Sequence, residues 1–249
     1  MKPFEMPWQK GVPGGMIGLS EVHVWRVLLE VIEIQTENLT CFLSTDELAR
    51  AERFHFEKDR NRYISSRGIL RKILSAYQGE RPEQLHFEYT YYGKPVLVVE
   101  PKHNALNFNL SHTDGMVLYA ITCGRNVGID IERIRNDLSF KQVAHGFFSQ
   151  EEIRALEKIK EDQQKELFFQ FWTRKEAMAK ASGEGISFPM EQLDVSIQSG
   201  GAWSPVQISS DKKQAQNWFG KDLFPCPGYA ASIVVEGGVC DLLCRDYSE

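Results

Sequence analysis

The chain has 249 residues, of which 42% are hydrophobic and 25% charged, and a formal net charge of −5. This length builds one large domain or two of about 110–120 residues each, long enough to bury a core. The acidic balance argues against a general nucleic-acid binder, which carries a basic surface, but leaves room for a local basic pocket that takes a phosphorylated small molecule. The five cysteines (Cys41, Cys123, Cys226, Cys240 and Cys244) form no CxxC pair and no zinc-spaced set with histidine, the pattern of reduced thiols in a cytosolic protein.

Residues 1–18 carry Pro3, Pro7 and Pro13 with Gly11, Gly14, Gly15 and Gly18. They hold no apolar run long enough for a signal peptide or a membrane span and read as a loose surface extension. Residues 23–34 begin with β alternation of Val22, Val24 and Val27, and predict a strand. Ser44 with Glu47 three residues on is a capping box that opens a helix. A second helix follows over 59–77, with Tyr63, Ile64, Ile69, Leu70, Ile73 and Leu74 at helical spacing. Its other face carries Arg60, Arg62, Arg67, Arg71 and Lys72. Such a stripe is most often a solvated face, although arginine also grips phosphate in a forked geometry.

Residues 85–91 alternate as a strand, Gly93-Lys94-Pro95 makes a stiffened turn, and 96–99 form a short strand. Ser111-His112 stands in a polar turn before the apolar strand 116–122, where a hydroxyl, an imidazole and backbone N–H groups can bind an anion or simply satisfy one another. No GxSxG elbow accompanies it. The short link Gly124-Arg125-Asn126 then predicts a hairpin into Gly128-Ile129-Asp130-Ile131-Glu132. In a strand these two carboxylates point to one face. Adjacent negative charges on a packed sheet are unfavourable unless a cation joins them.

Ser149 and Glu152 form a second capping box. The helical run 167–181 that follows is rich in aromatics and sets Trp172, Glu176 and Lys180 on one face, one turn apart. A buried Glu–Lys pair is costly unless it has a purpose. Strands follow at 193–197, 202–208 and 229–235. The two halves also share an order of elements, at an offset of about 105 residues early and about 113 late, so that Glu47 falls on Glu152 and Val117 on Ala230.

Gly128-Ile129-Asp130-Ile131-Glu132, the run from Phe171 through Lys175-Glu176 to Lys180, Gly93-Lys94-Pro95 and Phe108-Asn109-Leu110-Ser111-His112 together resemble the large, two-lobed 4′-phosphopantetheinyl transferases of the surfactin-synthetase-activating type. With residues 22–26 and 53–71 the chain is most similar to cyanobacterial heterocyst-type members. The resemblance implies an α+β fold of two similar α/β lobes related by a pseudo-twofold axis, with the active site in the cleft between them. The lobes fall at 22–122 and 123–235, between an N-terminal extension (1–21) and a C-terminal tail (236–249).

The activity it implies is transfer of the 4′-phosphopantetheine arm of coenzyme A to a serine of an acyl or peptidyl carrier protein, with Mg²⁺, releasing adenosine 3′,5′-bisphosphate. Asp130, Glu132 and Glu176 would hold the metal; Glu176 would also take the serine proton, and Lys180 would stabilise the leaving group. Arg67, Lys94, Ser111 and His112, with Arg50 and Lys175, would bind coenzyme A. Glu47 stands where some relatives carry a lysine, and Ile131, between the two carboxylates, is no ligand. The carrier would dock on Phe147-Phe148 with Lys141 and Lys158. The resemblance implies a cytoplasmic monomer with no nucleic acid or membrane as partner. The competing readings are a non-catalytic coenzyme A- or carrier-binding module and a Mg²⁺-dependent phosphohydrolase.

Overall fold

The computed structural model describes residues 8–29, 36–98, 105–135, 140–195, 202–208 and 217–248. The first half of the chain holds β1 (Gln9–Gly11), β2 (Glu21–Leu28), α1 (Thr36–Thr40), α2 (Thr45–Ala51), α3 (Glu57–Gln78), β3 (His86–Tyr89), β4 (Pro95–Val98), β5 (Leu106–Thr113) and β6 (Met116–Cys123). The second holds β7 (Val127–Arg133), α4 (Phe140–Phe147), α5 (Gln150–Lys158), α6 (Glu161–Ser182), β8 (Leu193–Asp194), β9 (Ser204–Pro205), β10 (Gln207–Ile208), β11 (Trp218–Leu223), β12 (Tyr229–Glu236) and β13 (Asp241–Tyr247). The expected strand residues 30–34, 99 and 196–197, and residues 1–7 of the extension, lie outside the described residues.

Strand alternation sorts the side chains into layers. Along β6, Val117, Tyr119 and Ile121 pack with Ile69, Leu70, Ile73 and Leu74 of α3. The intervening Met116, Leu118 and Ala120 meet Val127, Ile129 and Ile131 of β7 and Ala231, Ile233 and Val235 of β12. Behind β12, Ala230 and Val234 pack against Ala177, Met178 and Ala181 of α6. The order is helix, sheet, sheet, helix, an α+β arrangement in which both sheets are covered on both faces. Each large apolar side chain fully buried in these layers contributes about 1.5–3 kcal/mol before entropy is counted.

The first sheet runs β1-β13-β2-β6-β5 and the second β7-β12-β11-β9. The hairpin expected between β6 and β7 is therefore not formed. Both strands are apolar on their facing sides, so they stack across the central core, and β7 pairs with β12 more than ninety residues away. The hairpin is instead β5–β6, closed at Asp114-Gly115. Beyond residue 236 the chain does not trail off: β13 lies parallel to β2, Leu242 opposite Val22, and β1 adds to its outer edge. Arg26 of β2 grips Asp246 through both carboxylate oxygens, at 2.7 and 2.9 Å.

The halves repeat one register. Val22 stands opposite Thr122 as Val127 stands opposite Val235, and Leu106 opposite Cys123 as Trp218 opposite Glu236. Helices α3 and α6 are each 22 residues long and stop at a glycine in the left-handed region, Gly79 (φ 71°) and Gly183 (φ 83°). There the absence of a Cβ lets the chain turn away, and the Gly79 amide caps the Ser75 carbonyl.

Candidate active site

Three residues of β7 face α6: Gly128, Asp130 and Glu132. Gly128 is the contact point. A Cβ built on it would collide with the Ala177 carbonyl and the Ala181 amide and lie 2.9 Å from Ala181 Cα. Its lack of a side chain lets helix and strand close to backbone contact. Trp172, Glu176 and Lys180, one helical turn apart, flank that seam and stand over Asp130 and Glu132. From the first half, β5 lies along β7. Asn109 Oδ1 accepts from the Ile129 amide at 2.9 Å, and Ser111 Oγ donates to Asp130 Oδ1 at 2.8 Å. Lys180 Nζ completes a triangle, donating to the same Asp130 oxygen at 2.7 Å and to Ser111 Oγ at 2.9 Å.

These groups share one opening of about 420 Å³, lined by Ser111, His112, Asp130, Glu132, Glu176 and Lys180, with Leu110 and Trp172 as its apolar wall. Burial, then the neighbouring Asp130 charge, pushes the Glu132 carboxyl up to about 7. The same two causes, in the same order, raise Glu176, and Lys180 partly offsets them. The His112 ring keeps exposed surface at the rim, yet loss of hydration, then the Lys180 and Arg62 charges, hold it below the usual histidine range. The opening thus combines crowded carboxylates with convergent cations.

Asp130 is 4% exposed. Its Oδ2 is buried and has no hydrogen-bond partner among the described residues. A buried carboxylate oxygen left bare is costly, and a cation is one group that can satisfy it. No set of three His, Cys, Asp or Glu side chains among the described residues is drawn together as a metal cage. Magnesium does not require one: it binds through one or two carboxylates, keeps several waters and takes the rest of its oxygens from substrate phosphate. Asp130 Oδ2 beside Glu132 and Glu176 fits that donor set.

The other nominated residues stand elsewhere. Arg67 and Arg71, which the helical pattern placed on a basic outer face, are buried against α2. Glu47, 1% exposed, takes Arg67 Nε at 2.9 Å and Arg71 Nε at 2.7 Å, which removes the cost of burying them. Lys175, fully buried, meets Glu152 at 2.8 Å and donates to the Met190 and Leu193 carbonyls. Arg71 and Glu47 do the same in the first half, with the Pro82 and Leu85 carbonyls as acceptors. Arg50 is exposed, its guanidinium 5.7 Å from the Tyr63 ring centre. Lys94 Nζ donates to the carbonyls of Val127, Lys180 and Ala181, at 3.1, 2.6 and 3.3 Å.

Sequence reasoning passed over Arg62, Asn109 and Gly128 as site residues. Arg62 lay within the basic stripe, and nothing in the sequence set it apart from the other arginines there. Asn109 and Gly128 sat inside quoted motifs, but their partners are backbone atoms that no sequence pattern identifies.

Two family models match the chain, one described as the 4′-phosphopantetheinyl transferase superfamily over residues 126–234 and one as 4′-phosphopantetheinyl transferase, N-terminal, over residues 31–123. Among similar proteins, the 4′-phosphopantetheinyl transferase HetI of Nostoc sp. is 37% identical over 212 residues, which cover 82% of this chain and 89% of that protein. The 4′-phosphopantetheinyl transferase psf-1 of Bacillus pumilus is 35% identical over 168 residues, 67% of this chain and 69% of that protein. The 4′-phosphopantetheinyl transferase Sfp of Bacillus subtilis is 28% identical over 167 residues, 67% of this chain and 72% of that protein. With both halves matched and the paired carboxylates and lysine gathered in one opening, the chain belongs to the 4′-phosphopantetheinyl transferase family.

Proposed function

We propose that the chain moves the 4′-phosphopantetheine arm of coenzyme A onto a serine of an apo acyl or peptidyl carrier protein, with Mg²⁺, and releases adenosine 3′,5′-bisphosphate. The observation that carries the site assignment is the Asp130–Ser111–Lys180 triangle, with Asp130 Oδ2 buried and without a hydrogen-bond partner among the described residues, in a residue that lines the opening with Glu132 and Glu176. Bound by these carboxylates together with the diphosphate, Mg²⁺ would supply charge neutralisation as the phosphorus is attacked.

The chain's own residues do the rest. Glu176, whose proton affinity is raised by burial and by Asp130, takes the proton of the carrier serine as its Oγ bonds to the β-phosphorus. The phosphorus–oxygen bond to the nucleotide breaks, and the adenosine bisphosphate leaves with the electron pair. Lys180, one turn along and held by Ser111, stabilises that departing charge. His112, within reach of the Arg62 charge, supplies a hydrogen-bonding group at the rim for the remaining phosphate. Arg67, Arg50 and Lys175 stay nominated for coenzyme A by the family resemblance, although their contacts favour a structural part.

We further propose two lobes, 22–122 and 123–235, related by a pseudo-twofold axis with the opening between them. Their matched strand registers, their equal helices and the boundaries of the two family models support this. The carrier would seat where Phe147, 43% exposed and edge-on to Trp172, borders the opening, near Lys141 and Lys158. Phe148, 3% exposed, belongs to the core beneath it. No described helix is long and apolar enough to cross a membrane. The internal repeat supports a monomer, and the five free cysteines support a cytoplasmic setting.

The test is intact-mass spectrometry of an apo carrier protein incubated with this protein, coenzyme A and Mg²⁺. A phosphopantetheine-sized gain is expected with the native chain and not with Glu176→Gln. Phe147→Ser should raise the KM for carrier in the same assay. No gain on several unrelated carriers refutes the activity.

A further inference from the structure

Lys94 reads from sequence as a cation on a fixed turn, free to meet a phosphate. The turn is indeed fixed. The Thr90 amide donates to the Lys94 carbonyl at 2.9 Å, and Thr90 Oγ1 accepts from the Lys94 amide at 3.1 Å. The side chain, however, turns inward across the junction of the two halves. Its amine ends among three carbonyls: those of Lys180 and Ala181 in the last turn of α6, and that of Val127 at the start of β7. The last carbonyls of a helix have no partner within it and form the negative end of its dipole, so an ammonium group placed there satisfies both needs. The stem runs past Gly183, the first residue beyond the helix, with Lys94 Cδ 3.8 Å from where a Cβ there would stand, an ordinary packing distance.

Two residues along β7, Asn109 makes the companion contact by accepting the Ile129 amide. First-half side chains thereby hold β7 at Val127 and Ile129, on either side of Gly128 and just before Asp130. They also hold α6 at the peptide of Lys180 itself. Ser111, which meets the side chains of both Asp130 and Lys180, is the third first-half residue at this junction, but only Lys94 and Asn109 hold the backbones of α6 and β7 there.

We propose that Lys94 is a positioning residue and not a ligand of coenzyme A: with Asn109 it clasps the end of α6 and the start of β7 to the first half, and so sets where Lys180 and Asp130 meet Ser111. The burial that accompanies this contact lowers the Lys94 amine to about 8, consistent with a group committed to the interior. The inference rests on the assignment of Asp130, Glu176 and Lys180 proposed above.

The test separates kcat from KM. In Lys94→Met, the apolar stem remains and the amine is gone. A clasp predicts that kcat falls by about tenfold or more while the KM for coenzyme A stays within about twofold, because the reacting groups are misplaced and not the substrate contacts. Hydrogen exchange should also accelerate in a peptide covering residues 176–184, with no change in one covering 57–78. A phosphate ligand predicts the reverse, a KM for coenzyme A raised about tenfold at unchanged kcat and unchanged exchange, and that result overturns the proposal. No change in either constant overturns it equally. If Lys94→Met does not fold, Asn109→Ala, which opens the second contact of the clasp, is read on the same constants against the same two patterns. A native chain that modifies no carrier would count against the function and not against the clasp, which the exchange measurement would still decide.

Discussion

Gly128→Ala is the sharpest test of how the site is built. The added methyl carbon would lie 2.9 Å from Ala181 Cα and closer still to the Ala177 carbonyl and the Ala181 amide. Carbon atoms pack at about 3.5–4.0 Å, so strand and helix must part by at least about 0.6 Å at this point. All three nearest atoms belong to the backbone, so no side chain can swing aside. Overpacking of a close-packed interior costs about 1–3 kcal/mol, and a clash with backbone on both sides belongs at or above the upper end. For a chain of this size about 3 kcal/mol lowers the melting temperature by about 6–12 °C. The same displacement separates Asp130 from Lys180, now 2.7 Å apart, and a misplacement of about 1 Å can reduce the rate by about 100-fold. The assays are a thermal melt followed by circular dichroism and carrier modification at saturating substrates. A variant that melts within about 2 °C of the native chain and keeps its kcat would falsify the close approach of α6 to β7.

Two other perturbations follow from the same geometry. Lys175→Met leaves Glu152 buried without its cation, which costs about 3–5 kcal/mol, so the melting temperature should drop by about 6–20 °C. The KM for coenzyme A should hold in whatever fraction folds; a raised KM with an unchanged melt would return Lys175 to the substrate site. For Glu132 the sign is set by a carboxyl raised from 4.5 to about 7. Its favourable contribution is complete below pH 4.5 and is lost as the pH rises through 7, because the folded chain holds a proton there that the unfolded chain has released. At about 1.4 kcal/mol per pH unit the ceiling is about 3 kcal/mol. Melts should therefore decline from pH 5 to pH 8 without Mg²⁺, Glu132→Gln should flatten the decline, and Mg²⁺ should stabilise more at pH 8 than at pH 5. Equal slopes in the native chain and Glu132→Gln would refute the assignment of the effect to this carboxyl.

What the sequence made legible was what is local. Alternation in Gly128–Glu132 placed two carboxylates on one face because a strand's period is fixed by its backbone, and helical spacing aligned Trp172, Glu176 and Lys180 for the same reason. Both capping boxes were readable because their partners lie three residues apart. The sheet to which β7 belongs was not readable. A short polar link is the usual sign of a hairpin, but both β6 and β7 are apolar enough on their facing sides to stack instead of pair. Nor was the last strand: β13 pairs in parallel with β2, so no tight turn announces it, and its charged Asp241, Arg245 and Asp246 disguise the alternation.

The basic residues carry the more general lesson. Arg67, Arg71, Lys94 and Lys175 are all cations in a protein that must bind a polyanion, and each reads naturally as a phosphate ligand. The structure engages all four internally, three on carboxylates and one on helix-end carbonyls. Part of this was available from the internal repeat. Glu47 and Glu152 occupy equivalent capping positions, and each receives a cation from the long helix that follows, Arg71 in one half and Lys175 in the other. A substrate contact has no reason to recur in both halves of a chain whose proposed catalytic residues line a single opening, whereas a contact that holds each long helix to its own half does. Asp130 and Glu132 have no such counterparts: Trp25 and Val27, their equivalents in the first half by the matched registers, are core residues. Where the halves repeat, the residues build the fold; where they differ, the second half carries the residues proposed for the chemistry, and the first half contributes Ser111, Asn109 and Lys94 against them.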